Sequence, residues 1–161
     1  ETNLWGAILD THTFLPLLKP GAKVLFISSG FGLMGPAGCS VYAASKAGLI
    51  NFAESLRREL LKDNITVHVA CPGDIATPQY FEEHRSMPEW MKQSAPRGMM
   101  PPRVAAQKIL KKCRRNRFLI IINAEILALI LFSKLTPRRF RDFMIDRMFP
   151  LPPPAGKSGA R

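Results

Sequence analysis

Two apolar runs separated by one long helical pattern constrain this chain most. Lys23-Val24-Leu25-Phe26-Ile27 and Thr66-Val67-His68-Val69-Ala70 are each strand-like. Strands of near-continuous apolar character belong to a parallel sheet covered on both faces. Between them, residues 41–62 place Leu49, Phe52, Leu56 and Leu60 at roughly helical spacing, and Asp63-Asn64 makes the turn. Strand, helix, strand is the order of a parallel crossover, with a ligand site expected at the carboxyl ends of the strands. The expected strands are 23–28 and 65–71. The first leads into a glycine-dense loop (Gly30, Gly32, Gly35, Gly38), and the second runs into Pro72-Gly73.

The residues at those ends carry chemistry. Ser29 closes the first strand. Tyr42 and Lys46 follow in Val41-Tyr42-Ala43-Ala44-Ser45-Lys46-Ala47-Gly48. Four residues apart on a helix, the tyrosine and lysine share a face. An ammonium beside a phenol favours the phenolate. A phenol near 10 serving as a base near pH 7 needs roughly 4 kcal/mol of such help. A Tyr–Lys pair alone is usually solvated surface. Here a buried strand, a small-residue loop and a helix rich in Ala and Gly surround it, which favours an acid–base site for alcohol–carbonyl interconversion.

The segment resembles the short-chain dehydrogenase/reductase family, whose signature is a Ser followed thirteen residues later by Tyr-x-x-x-Lys. Ser29, Tyr42 and Lys46 keep that spacing. Asn3, in Thr2-Asn3-Leu4-Trp5-Gly6, matches the asparagine of the family's catalytic tetrad. Pro72 and Gly73 match the pair that faces the nicotinamide, and Thr77 in Asp74-Ile75-Ala76-Thr77 matches the threonine that binds its carboxamide. The resemblance covers roughly residues 1–123. It implies catalytic roles for Asn3, Ser29, Tyr42 and Lys46. It implies cofactor contacts from Tyr42, Lys46, Pro72, Gly73, Ile75 and Thr77, to NAD(P)(H) with NADP slightly favoured. The fold expected is α/β, an incomplete Rossmann-type doubly wound parallel sheet lacking the N-terminal nucleotide-binding half. No strand with a Gly-rich phosphate turn precedes these elements. The chain thus reads as the C-terminal part of a longer reductase, with a catalytically inactive fragment acting as a subunit-interaction module as the alternative. The family uses helices corresponding to 1–18 and 41–62 to form homo-oligomers.

Residues 1–135 are expected to form the Rossmann part, with 78–100 as a Met- and Trp-containing substrate lid. A helix is expected from Pro101-Pro102, then a strand over 118–122 and an apolar helix over 124–135. The run 118–132 is short for a membrane span of about 20 residues. Residues 136–150 are basic and amphipathic, with Phe140, Phe143, Met144, Met148 and Phe149 able to share one face, and 151–161 read as a disordered tail. Charge follows this division. Residues 1–96 carry 8 Lys/Arg against 9 Asp/Glu, while 97–161 carry 15 against 3. The basic C-terminal third is suited to an anionic membrane surface or to packing as an arm on the body. Its long aliphatic runs and want of any recognised motif argue against nucleic acid.

Pro72-Gly73-Asp74-Ile75-Ala76-Thr77-Pro78-Gln79, taken with the apolar basic C-terminus, looks most like the membrane-associated lipid reductases of the 3-ketodihydrosphingosine group. That group usually has a second proline where this chain has Gly73. An apolar or lipid substrate is the corresponding expectation, at the cytoplasmic face of a membrane or in the cytoplasm. The three cysteines, Cys39, Cys71 and Cys113, are odd in number and widely spaced, and with His12, His68 and His84 scattered they suggest neither a disulfide nor a metal site.

Overall fold

The computed structural model describes residues 2–92, 99–149 and 151–152. Three strands form one parallel sheet in the order β1 (Lys23–Ile27), β2 (Thr66–Ala70), β3 (Leu119–Ile120). Lys23 pairs with Thr66 and Ile27 with Ala70, and Val69 and Ala70 pair with Leu119 and Ile120. The helices are α1 (Ala7–Phe14), α2 (Ser40–Glu59), α3 (Pro78–Ser86), α4 (Glu89–Lys92), α5 (Pro102–Cys113), α6 (Ala124–Leu135) and α7 (Arg138–Met148).

Side-chain alternation along β2 explains the layering. Val67, Val69 and Cys71 point to one face, where they meet Leu49, Ala53 and Leu56 of α2. Ala70 points to the other, against Ala105, Ile109 and Cys113 of α5. Each helix thus presents a stripe at three- and four-residue spacing to a sheet face. β2 is central and covered on both sides, which accounts for its largely apolar character. His68, almost fully buried on β2, makes a 2.8 Å hydrogen bond through Nδ1 with the Arg117 carbonyl.

Two expectations need correction, and a third element is found oriented in one of the two ways left open. The helix over 1–18 is not uniform. It is a π-turn (Thr2–Gly6), then α1, then a 3₁₀ turn (Leu15–Leu17) containing Pro16. Proline removes a donor and tightens the end of the helix. The strand over 118–122 contracts to Leu119–Ile120. Phe118 and Ile120 still accept hydrogen bonds from Val69 and Cys71, but β2 ends there and leaves Ile121 and Ile122 buried without a ladder. In α7, Ile145 is the buried residue, whereas Phe140, Phe143 and Met148 are exposed. The apolar face expected there is turned largely outward.

The lid expected over 78–100 begins as α3 and α4, and residues 93–98 lie outside the described part. Of the expected tail, only 151–152 are described. No helix among the described residues is long and apolar enough to cross a membrane.

Candidate active site

β1 delivers two serines to the carboxyl edge of the sheet. Ser28 is buried, and its hydroxyl donates to the Lys46 carbonyl at 2.9 Å. Ser29, extended at φ −153°, accepts from the Phe31 amide at 3.2 Å and caps a short turn over Gly30–Gly32. Two glycines hold that turn in place. The Gly30 amide donates to the Pro72 carbonyl at 2.8 Å, tying the ends of β1 and β2 together. At Gly32 an added Cβ would lie 2.9 Å from the backbone of Lys46, so only glycine lets the loop approach α2 this closely. The same contact fixes the height of Ser29 relative to α2.

Tyr42 and Lys46 lie one turn apart on α2, as their spacing predicts. The Ser29 hydroxyl lies close enough to the Tyr42 phenol to favour its phenolate. The Lys46 ammonium lies 5.8 Å from the centre of the Tyr42 ring and donates to the Ile27 carbonyl at 3.3 Å. Electrostatics departs from expectation here. Burial raises the Tyr42 phenol above its ordinary value, and the neighbouring Ser29 hydroxyl only partly opposes this. Burial likewise lowers Lys46. The lysine does not bring the phenol down because its ammonium turns toward Ile27 and the ring face, leaving Ser29 beside the phenol.

The cofactor residues inferred from resemblance cluster at the end of β2. Pro72 and Gly73 follow β2 after Cys71, and the Gly73 amide donates to Asn123 Oδ1 at 2.9 Å. Ile75 bridges to Met100. Thr77 caps α3, its hydroxyl accepting from the Tyr80 amide at 3.2 Å. Burial raises the Asp74 carboxyl beside them. Asn3 is set apart. It lies exposed on the π-turn, which packs on α2 through Leu4 against Gly48. Ser29, Tyr42 and Lys46 are therefore assembled, Pro72 to Thr77 lie on the neighbouring strand end, and no hydrogen bond among the described residues joins Asn3 to them.

Three residues of this region escape a reading of the sequence. Asn123 holds the Gly73 amide. Its only signal is being a polar residue inside the apolar run 118–132. Ile126 of α6 fills the space beside two glycines, its Cδ1 2.7 Å from where a Cβ at Gly30 would stand and 2.9 Å from one at Gly73. Phe31 meets the Tyr42 ring edge-on at 6.3 Å and, on its other side, meets Phe149 at 5.2 Å. Nothing in the local sequence links residues so far apart. Above the loop, α4 sets Trp90 and Met91 against Gly38, whose φ of +80° suits glycine. Among the described residues no group of three His, Cys, Asp or Glu could hold a metal.

The geometry has counterparts among known proteins. A Danio rerio 3-dehydrosphinganine reductase is 31% identical over 121 residues, 73% of this chain and 36% of that protein. A Dictyostelium discoideum 3-ketodihydrosphingosine reductase is 37% identical over 93 residues, 55% of this chain and 28% of that protein. The chain thus spans about a third of the length of these curated relatives. A solved short chain dehydrogenase from Burkholderia cenocepacia J2315, in complex with NADP, superposes with a TM-score of 0.72 at 20% identity, over 91% of this chain and 57% of its own. Another from Burkholderia phymatum, in complex with NAD, superposes at 0.70 and 20% identity, over 94% of this chain and 59% of its own. These likenesses show the fold, a Rossmann-type α/β sheet of which this chain forms a part. The short chain dehydrogenase family pattern matches residues 1–87, the stretch that holds Ser29, Tyr42, Lys46 and the Pro72-Gly73 turn, and the chain belongs to that family.

Proposed function

We propose that this chain carries the catalytic part of an NAD(P)-dependent reductase that interconverts a hydroxyl and a carbonyl on an apolar, lipid-like substrate. The observation that carries the reading is the placement of Ser29 beside Tyr42 at the carboxyl edge of a parallel sheet, with Lys46 one turn away. The printed activities of the two sphingoid-base reductases above support the lipid substrate.

The residues present fit the nicotinamide end of such a cofactor. Among the described residues the Lys46 ammonium makes one hydrogen bond, at 3.3 Å, leaving protons for a ribose. Gly73 has no side chain to obstruct an approaching ring, and Thr77 offers a hydroxyl. Ile126 covers Gly30 and Gly73 in this structure, so the start of α6 gives way where a ring is to lie on Gly73. When bound, the cofactor supplies or accepts hydride. In the reduction direction, Tyr42 gives its proton to the substrate oxygen while Ser29 holds that oxygen. In the oxidation direction, Tyr42 takes the proton back as the base. A phenol held high by burial favours the protonated form and hence reduction. Whether NADP or NAD is used is tested by the ratio of turnover with each, NADPH being expected to be the better donor.

Two surfaces extend the proposal. The helical segment 2–17 and α2 expose Trp5, Leu9, Phe14, Leu17 and Val41, which suits pairing with a second copy of the chain. This observation also favours the alternative reading as a subunit-interaction module, and sedimentation equilibrium tests it. On α6 and α7, Leu127, Leu131, Phe132, Leu135, Phe140 and Phe143 are exposed. Rings 132 and 140 touch at 5.7 Å and rings 140 and 143 at 6.3 Å, so the apolar surface is continuous across the two helices. Arg139 and Arg147, also exposed, share α7 with these rings. An apolar strip flanked by cations suits the anionic face of a bilayer. The deciding experiment for the function as a whole is turnover of long-chain ketones by the natural full-length protein with NADPH or NADH.

A further inference from the structure

The inward side of α7 bounds a cavity of about 680 Å³ beside the catalytic helix. This lies within the range of about 300–1,000 Å³ that small-molecule sites occupy. One wall is Ala43, Ala44 and Ala47 of α2, which leave room by being small. Another is the loop carrying Phe31, Leu33 and Met34. Ile130 of α6 and Ile145 of α7 supply the third. Phe31 belongs to both places, lining the cavity with its ring set edge-on to Tyr42.

The polar side chains of the lining are Ser40, two arginines and one aspartate, a net charge of +1. Arg138, Arg141 and Asp142 of α7 reach the cavity. Asp142 turns one oxygen to each guanidinium, but both contacts are long, 3.7 Å to Arg138 and 3.5 Å to Arg141. The Arg141 Nε is enclosed and finds no hydrogen-bond partner among the described residues. A shielded donor without an acceptor is costly. A carboxylate or phosphate would relieve that cost, because guanidinium groups bind such anions with directed, charge-assisted hydrogen bonds.

We propose that this cavity binds an amphiphile with a long apolar body and an anionic end, the body along the alanine face of α2 and the anion at Arg141 with Arg138 beside it. This goes beyond the reductase proposal: the anionic amphiphile is a ligand of the α7 cavity, not the ketone that is reduced, and its binding is tested without turnover. The two faces of α7 then divide the work. Arg138 and Arg141 face the cavity, while Arg139, Phe140, Phe143 and Arg147 face outward.

Binding to the 161-residue chain is measured by calorimetry, without cofactor, for monomeric dodecanoate, dodecanol and dodecyltrimethylammonium. Dodecanoate should bind at least tenfold more tightly than dodecanol, and the cation should bind least. Arg141→Gln should erase the preference for the anion while leaving dodecanol affinity unchanged, and Arg141→Lys should restore part of it. Circular dichroism establishes that each variant is folded. Anionic vesicles separate a free amphiphile from a lipid headgroup. Arg139→Gln with Arg147→Gln should weaken vesicle binding and leave dodecanoate binding unchanged. Equal affinity for dodecanoate and dodecanol, an undiminished preference in folded Arg141→Gln, or no binding of any of the three would each overturn the proposal. None of these outcomes bears on Tyr42, whose role is read from turnover.

Discussion

The Lys46 ammonium stands 5.8 Å from the centre of the Tyr42 ring and hydrogen-bonds the Ile27 carbonyl, so the pair is adjacent without the charge lying against the phenol oxygen. Burial therefore governs Tyr42 and raises it. In the proposed oxidation direction the phenolate is the base, so the rate should climb with pH and level off only above the ordinary phenol range. Lys46→Met removes the cation that would hold the ribose. Cofactor affinity should fall, while the rise with pH should stay where burial sets it. Unchanged cofactor affinity would place Lys46 outside the site.

Gly32 is predicted to be a point of structural intolerance. A Cβ there would stand 2.9 Å from the Lys46 carbon and carbonyl oxygen, which are backbone atoms and cannot swing away. Gly32→Ala should destabilise by about 1–3 kcal/mol, the usual range for overpacking. Urea unfolding with an unchanged slope and a lower midpoint is the expected result. Gly35, with open space around it, is the control, and Gly35→Ala should be nearly neutral.

Much of this arrangement is legible in the sequence because it is local or periodic. β1, α2 and β2 follow from two apolar runs and a helical stripe, and Tyr42 and Lys46 follow from a spacing of four on that helix. α6 is found over the residues its composition marks, Ala124–Leu135. What is not legible depends on contacts between distant segments. The Phe149–Phe31–Tyr42 stack joins the end of α7 to the site, and no pattern near any of the three announces it. The length of β3 is set by where β2 stops pairing, so an apolar run of five becomes a strand of two. The direction of the Tyr42 shift depends on where the Lys46 side chain turns, which spacing does not specify.

The cysteines should differ in reactivity. Cys71 is fully buried, and burial pushes its thiol up to about 12 despite the nearby Ser28 hydroxyl and the Lys46 charge. Cys113 is also buried, whereas Cys39 is partly exposed. The thiolate is the reacting form. A disulfide reagent at pH 8 should therefore label one thiol in the native chain, at Cys39, and slowly, because burial raises that thiol too. All three should react on unfolding. Rapid labelling of Cys71 in the folded chain would contradict the core described here.

The outward surface of α6 and α7 predicts binding to anionic vesicles that weakens with salt without vanishing. Each arginine near such a surface contributes about 1 kcal/mol, screened by ions. Phe140 and Phe143 add an apolar part that salt does not remove. Co-sedimentation should rise with the anionic lipid fraction and fall in Phe143→Ser. Equal sedimentation with neutral and anionic vesicles, or none with either, would assign this face to another partner.

The central claim is that Tyr42 exchanges the proton with the substrate oxygen. It is tested most directly by Tyr42→Phe in the natural full-length protein, with NADPH oxidation followed against a long-chain ketone and cofactor affinity measured on the same preparation. Losing only the hydroxyl should cut turnover by at least about 100-fold, the scale of a general acid's contribution, while cofactor affinity stays within a few fold. Turnover within a few fold of the parent at unchanged affinity would contradict the assignment.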